Sequence, residues 1–187
     1  MSPTATSPTS TTTTWTIDPV HSIAEFRVRH LMISNVRGQF TGVTGKLTFD
    51  PGNLTQSHVD ASIDVSTIDT RDTQRDTHLK SPDFFDVEKF PTLAFHSSRV
   101  TRRGDGTVLV AGPLTIHGVS KEVEFTVEGP TPPVKDPYGN TRVGVQALTK
   151  INRGDFGLTF NAAMETGGVM VGEEVSITLE LEFVQAA

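Results

Sequence analysis

The 187-residue sequence contains no cysteine, only one tryptophan and one tyrosine, and no long apolar run. The absence of cysteine excludes disulfide bonds, thiolate nucleophiles and thiolate metal sites. No segment approaches the ~20 consecutive apolar residues of a membrane-spanning helix, so we do not expect a membrane-embedded protein. The length suits a single domain with one hydrophobic core.

Positive charge is also scarce. The formal net charge is −6, and a surface of this sign repels phosphate backbones. No basic stripe is visible along the sequence. The densest basic point, Arg102–Arg103, precedes Gly104–Asp105–Gly106 and is typical of a hairpin tip. We therefore expect no nucleic-acid partner.

The N-terminal residues 1–14 are rich in Ser, Thr and Pro. They lack the basic start and the apolar stretch of a secretory signal, which indicates a cytoplasmic protein. They also offer too little apolar surface to fold. We predict a disordered tail at 1–14 and one β domain at 15–187.

From Trp15 onward, apolar and polar side chains alternate with the period of two that is typical of half-buried strands. The pattern is clear in "SIAEFRVRH", "GKLTF", "HVDASIDVS" and "VSITLELEFV". Turn signals separate these segments, and Pro113 marks a break or an edge. About eight short strands at this spacing predict an all-β antiparallel sandwich or barrel, and the period does not distinguish the two. Five phenylalanines fall on the inferred inward faces: Phe26, Phe49, Phe95, Phe125 and Phe183.

The alternation is interrupted twice. Residues 31–36 predict an apolar turn between strands. Residues 69–90 predict a helical excursion that closes one end of the sheet, with Asp69 as the cap of a first helix. Ser81–Pro82 predicts a second helical start, because proline is favoured at the first helical position.

The charged part of this excursion could form an acid–base site from Arg75, Asp76 and His78. On a helix, however, Asp76 and His78 are two residues apart and project to different faces. The pattern therefore favours a solvated or loop-clamping helix, and we expect no catalytic residues. No nucleophile-elbow, metalloprotease or phosphate-loop motif is present.

The histidines show no metal-ligand spacing, so we expect no metal and no cofactor. His30 lies on the inward face of the first long strand and His117 lies at a tight turn. For both, a hydrogen-bonded structural role is the favoured interpretation. His58 and His96 have the pattern of surface residues.

Several stretches resemble the YceI-like proteins, which are also called polyisoprenoid-binding or lipocalin-like. They run in order from Trp15 to Glu182 and read "WTIDPVHSIAEFRVRHLMISNVRGQF", "IDTRDTQRDTHLKSPDFFDVEKFPTLAF", "GPLTIHGVSKEV", "INRGDFGL" and "VGEEVSITLELE". The resemblance implies an eight-stranded antiparallel lipocalin-like barrel with a short helical cover. It also implies an apolar interior that holds a polyisoprenoid, a quinone-like tail or a fatty amide. Members are usually exported and often dimeric, so a homodimer is implied, whereas the visible sequence lacks a signal peptide.

Within this frame, "RDTHLKSPDFFD" is interpreted as the cover, with Phe84 and Phe85 inward and the charges outside or pinning neighbouring loops. We expect the ligand to contact inward-facing strand residues and the cover. These residues are Phe26, Val28, His30, Phe40, Leu47, Phe49, Ile63, Val65, His78, Phe84, Phe85, Phe95, Leu114 and Ile116.

Three functions stay open at this stage. The first, which we favour, is a non-catalytic carrier or sequestering protein for a long-chain lipid. The second is an enzyme acting on an isoprenoid-type substrate with His30 or His78 as base. The third is a packed barrel that contacts a protein partner.

Overall fold

The computed structural model describes residues 11–165 and 167–186. Within these ranges, twelve strands and one α-helix make up the regular structure. The strands are β1 (Thr13–Ile17), β2 (Ile23–His30), β3 (Ser34–Phe40), β4 (Val43–Phe49), β5 (His58–Asp64), β6 (Thr92–His96), β7 (Arg99–Arg102), β8 (Val108–Ile116), β9 (Val119–Glu128), β10 (Val134–Lys135), β11 (Thr141–Asn152) and β12 (Val171–Gln185). The helix is α1 (Thr73–Lys80), and short 3-10 turns span Leu54–Gln56, Val65–Thr67 and Arg153–Phe156. No helix in the described ranges is long and apolar enough to cross a membrane.

The strands form a closed, eight-stranded antiparallel barrel, as the resemblance implied. The ring runs β11–β9–β8–β6–β5–β4–β1–β12 and closes because β12 pairs with β11 along most of its length. Strands β1 and β2 follow one another along the other edge of β12. On their far side, β4 pairs with β1 and β3 pairs with β2. A sandwich is therefore excluded.

The alternating pattern places the apolar faces as predicted. The five phenylalanines assigned to inward faces all belong to the core or pack against it. Outward positions carry charges, as Glu25, Arg27 and Arg29 do on β2. The alternation works because successive side chains of a strand point to opposite faces of the sheet.

Pro113 lies inside β8 rather than at its end, which refines the prediction of a break or an edge. One edge of β8 pairs with β9 throughout. On the other edge the partner changes from β7 at Ala111 to β6 at Leu114. Pro113 has no N–H to donate and falls in this gap. The preceding Gly112 is required there, because an added Cβ would lie 2.0 Å from the carbonyl oxygen of His96.

Two predicted boundaries were wrong. Thr13 and Thr14 belong to β1, where Thr14 pairs with Thr48 of β4, so the folded chain begins before residue 15. Residues 1–10 of the predicted tail lie outside the described residues. The apolar turn is also shorter than 31–36, since Ser34 already starts β3 and pairs with His30.

The excursion at 69–90 contains one helix, not two. Asp72, not Asp69, caps α1, and its side chain accepts a hydrogen bond from the backbone N–H of Arg75 at 3.0 Å. Asp69 instead pairs with Gln39 of β3. After Ser81 the chain folds back on α1, because the N–H groups of Phe85 and Val87 donate to the carbonyls of Leu79 and Lys80. These bonds use the groups that a second helix would need.

A buried arginine fixes the barrel end below α1. Arg153 is only 6 % exposed, and its guanidinium donates to the carbonyls of Leu158, Phe160, Val171 and Gly172 at 2.6–3.2 Å. Burial lowers the pKa of Arg153. The four bonds tie the loop after β11 to the start of β12, which balances the cost of removing this charge from water.

An ion cluster fixes the opposite end. Arg142, at the start of β11, donates from Nε to Asp136 and from Nη1 to Asp18, both at 2.6 Å, and also bonds Glu182. Its guanidinium holds the pKa values of Asp18 and Asp136 well below their usual range, and these carboxylates raise the pKa of Arg142. The cluster joins the β1–β2 link, the loop after β10, and β12.

We predict that Arg142→Gln lowers the melting temperature at pH 7 by roughly 5 °C, because it leaves three carboxylates without their partner. Depressed aspartate pKa values contribute stability above the unfolded-state pKa of ~3.9, and that contribution is lost as pH falls through the folded-state values. The difference between wild type and variant should therefore shrink below pH ~4. Thermal unfolding across pH measures it. Arg102→Gln, at an exposed hairpin, is the control and should change little. An equal loss for Arg142→Gln at pH 7 and pH 3 would contradict the assigned role.

Candidate functional site

The barrel interior is not filled. A cavity of about 270 Å³ extends from Gly129 and Pro130, near the start of β11, to Phe84 and Val171, below α1. Nearly all of its lining side chains are apolar, and they come from most of the strands of the ring. Ligand pockets are typically ~300–1,000 Å³, so the cavity suits one narrow apolar chain rather than a bulky molecule.

Most of the predicted contact residues line this cavity. They are Phe26, Val28, Phe40, Leu47, Phe49, Ile63, Phe84, Phe85, Phe95, Leu114 and Ile116. Alternation in sequence predicted the inward faces of most of the strand residues, whereas the inward placement of Phe84 and Phe85 came from the resemblance. That they contact a ligand stays a prediction.

Three predicted contact residues lie elsewhere. Val65 is fully buried in the 3-10 turn after β5 and borders neither this cavity nor its neighbour. Because it packs against other core side chains, its role is structural. His30 and His78 border a second cavity of about 400 Å³.

We call this second cavity the vestibule. Its polar lining includes Arg29, His30, Arg75 and His78, and its acidic lining residue is Asp72. It shares Phe26, Val28, Leu79, Phe84 and Val171 with the apolar cavity, so the two spaces are adjacent. A molecule with a hydrocarbon chain and one polar end would find both environments here.

Three aromatic rings, which we call the three-ring wall, pack together on the vestibule side of the boundary. Phe84 borders both spaces, whereas His78 and Phe160 border only the vestibule. The ring centroid of His78 lies 5.1 Å from that of Phe84 and 4.8 Å from that of Phe160, and Phe84 lies 4.9 Å from Phe160. Sequence reasoning missed Phe160, because it lies in an irregular loop where no period identifies a face. The available signal for Phe160 was the "INRGDFGL" stretch, which ends two residues before it and carries the family resemblance.

The cover has the predicted arrangement. Phe84 is buried, Phe85 is half-buried, and both line the apolar cavity. The Asp76 carboxylate accepts hydrogen bonds from the N–H and the hydroxyl of buried Thr70 at 2.9 and 2.5 Å. Arg75 donates to the hydroxyl and the carbonyl of the same residue at 2.8 and 2.7 Å. These bonds attach α1 to the segment that runs beside β3.

Two of the histidines differ from the prediction. Neither His30 nor His117 makes the predicted side-chain hydrogen bond to any residue in the described ranges. His117 instead packs its ring on Phe90 at 4.6 Å in a turn with positive φ. His78 Nε2 lies 2.9 Å from Asp83. His58 and His96 are exposed, as predicted, and flank Asp60, whose pKa is lowered chiefly by the His96 hydrogen bond.

Among the described residues, one group of side chains has the composition of a metal site. Ligand atoms of Asp18, His21 and Glu182 lie within 4.8 Å of one another. Arg142, however, already donates from the same nitrogen to both carboxylates. A cation would have to displace this charge, so we assign the group to the ion cluster of the barrel end.

The wall residue Phe84 provides a test of the two-cavity arrangement. We predict that Phe84→Ala joins the cavities and speeds release of a fluorescent long-chain fatty amide about tenfold, since each lost ring contact is worth ~0.5–1.5 kcal/mol. Phe85→Ala is the matched control, because Phe85 borders only the apolar cavity. Stopped-flow release and thermal unfolding of both variants measure the effect. Equal release rates for the two variants would contradict it.

Comparisons with known proteins agree with this architecture. A UPF0312 protein of Staphylococcus aureus strain N315 is 38 % identical over 174 residues, which cover 91 % of this chain and 97 % of that protein. The structure of a Campylobacter jejuni YceI protein matches with a TM-score of 0.70 at 28 % identity, covering 85 % of this chain and 90 % of that one.

Two more distant structures share the fold. Burkholderia cenocepacia BcnA matches with a TM-score of 0.75 at 23 % identity, over 89 % of this chain and 98 % of that one. A polyisoprenoid-binding domain of Saccharophagus degradans matches with a TM-score of 0.65 at 15 % identity, over 92 % and 98 %. The model of the YceI-like domain matches residues 15–183, and this chain therefore belongs to the YceI-like family.

Proposed function

We propose that this protein binds a long-chain apolar amphiphile inside its barrel and carries or sequesters it without chemical change. The observation that carries the proposal is the unfilled apolar cavity with a polar vestibule beside it. A buried methylene group contributes ~0.8 kcal/mol, so a long chain gains enough to outweigh its ordering cost. The polyisoprenoid-binding domain of Saccharophagus degradans, which has the same fold, supports the ligand class.

The two spaces suggest how the ligand lies. Its hydrocarbon chain occupies the apolar cavity and passes the three-ring wall of His78, Phe84 and Phe160. Its polar end lies in the vestibule, where Arg29 and His30 offer hydrogen-bond donors. A polyisoprenoid, a quinone-like lipid and a fatty amide all have this form. The homodimer and the cytoplasmic location stay predictions.

The decisive measurement is the content of the purified barrel. We predict that organic extraction of the protein followed by mass spectrometry recovers about one equivalent of a compound with a single long hydrocarbon chain and one polar end. A wild-type extract without such a compound, together with no uptake of added polyprenol or fatty amide, would contradict the proposal.

A cavity-filling variant supplies the control. Ala147 is buried in β11 and lines the apolar cavity, so Ala147→Phe should occupy space that the ligand needs. Overpacking costs ~1–3 kcal/mol, which leaves room for a folded barrel that purifies empty. Circular dichroism verifies the fold of the variant. Recovery of a chemically altered lipid that is lost in His78→Ala would instead support the enzyme alternative, because His78, which pairs with Asp83, borders the vestibule where a base could reach the polar end of the ligand.

A further inference from the structure

The turn between β2 and β3 exposes apolar side chains. We call Leu31–Ile33 the β2–β3 tip. Ile33 is 79 % exposed and Met32 is 44 % exposed, although both side chains are large and apolar. Leu31 and Met32 adopt positive φ values of 50° and 60°, which residues other than glycine rarely adopt. The backbone therefore holds an apolar turn away from the core.

Three arginines lie on the outward face of the same hairpin. Arg27 and Arg37 are directly opposite each other in the β2–β3 register, and Arg29 follows toward the tip. Like charges in opposed positions destabilise a strand pair. Within the described ranges Arg27 and Arg37 have no ion pair or hydrogen bond from the side chain, and Arg29 donates only to the carbonyl of Met32 at 2.9 Å.

Two acidic residues of the neighbouring strand are engaged on its other edge. On β12, Glu174 accepts from Lys150 of β11 at 2.9 Å, and Glu173 accepts from Asn152 at 3.4 Å. With three arginines and a single acid, Glu25, on the outward face of β2 and β3, the hairpin is a local basic surface on a chain whose net charge is −6. The absence of such a surface was wrongly inferred from the sequence, because the arginines converge only through strand pairing.

The hairpin borders the vestibule. Arg29 and His30 line that cavity together with Met170, and the N–H of Leu31 donates to the Met170 carbonyl at 2.8 Å. Val169, which is 40 % exposed, adds apolar surface beside the tip. The apolar tip, the arginines and the vestibule thus lie at one end of the barrel.

We propose that the β2–β3 hairpin docks on a lipid bilayer that carries anionic headgroups. Met32 and Ile33 enter the interfacial layer, and Arg27, Arg29 and Arg37 bind the headgroup phosphates. A bilayer satisfies both halves of the surface, whereas a nucleic acid would leave the apolar tip in water. A second copy paired along the β3 edge would place arginines of one copy beside those of the other.

Docking there would present the vestibule to the source of an apolar ligand. This purpose rests on the proposed function, but the docking itself does not depend on it. The β7–β8 hairpin offers an internal contrast: Arg102 donates to the carbonyl of Gly106, but the tip is Gly104–Asp105–Gly106. It has arginine without apolar residues, so we expect no docking from it.

The test measures binding of the full chain to vesicles by co-sedimentation. One set contains phosphatidylcholine alone, and the other contains phosphatidylcholine mixed with phosphatidylglycerol. We expect binding to the anionic vesicles that weakens as salt is raised, and at least about tenfold weaker binding to the neutral ones.

Single substitutions assign the binding surface. Ile33→Ser should weaken binding to anionic vesicles about tenfold, through loss of apolar insertion. Arg29→Gln and Arg37→Gln should each weaken it about fivefold. Val20→Ser and Arg102→Gln are the matched controls. Val20 is 83 % exposed beyond the other end of β2, and Arg102 lies on the β7–β8 hairpin. Both should bind like wild type.

Absence of wild-type binding to anionic vesicles at low salt would overturn the proposal, as would wild-type binding by both Ile33→Ser and Arg29→Gln. Equal losses in Val20→Ser and Ile33→Ser would also overturn it, since any exposed apolar residue would then suffice. Because Ile33 lines neither cavity, the lipid content of Ile33→Ser tests the carrier function separately from docking. An empty wild-type barrel that still docks through the tip would contradict only the carrier function.

Discussion

The pairing of β11 with β12 is the interaction on which the rest of the structure depends. Its register runs from Arg142 opposite Val184 to Asn152 opposite Glu174, and it joins the two ends of the sheet into a ring. In a closed ring the backbone groups of the wall bond to neighbouring strands, so no edge faces the interior. Only for this reason can the barrel keep an apolar interior that side chains do not fill.

The two ends of β11 carry arginines with different tasks. Arg142 at its start collects carboxylates from three separate segments and fixes one barrel end. Arg153, just beyond its last residue, donates to four carbonyls and fixes the loop that carries Phe160 into the three-ring wall. Arginine suits both tasks because its planar group offers several donors at fixed angles. The ion cluster of Arg142 therefore fixes one barrel end. At the other end, which Arg153 fixes, the apolar cavity meets the vestibule.

The sequence was most informative where one local rule sufficed. Strict alternation placed Phe49, Phe95 and Phe183 inside, because strand geometry needs no knowledge of the partner strand. It was less informative in the excursion at 69–90. There Ser81–Pro82 has the local chemistry of a helix start, but the C-terminal carbonyls of α1 attract the following N–H groups and turn the chain back. Local capping signals cannot report this competition.

The sequence by itself determined the all-β class, the inward faces of the strands and, through its resemblance, the family. Only the tertiary structure decided which polar groups meet. Asp18 and Arg142 are 124 residues apart, yet their side chains bond at 2.6 Å. Arg27 and Arg37 become neighbours only through the β2–β3 register. Alternation specifies the face of a side chain, whereas its neighbours depend on strand order and register, which are set by contacts distant in sequence.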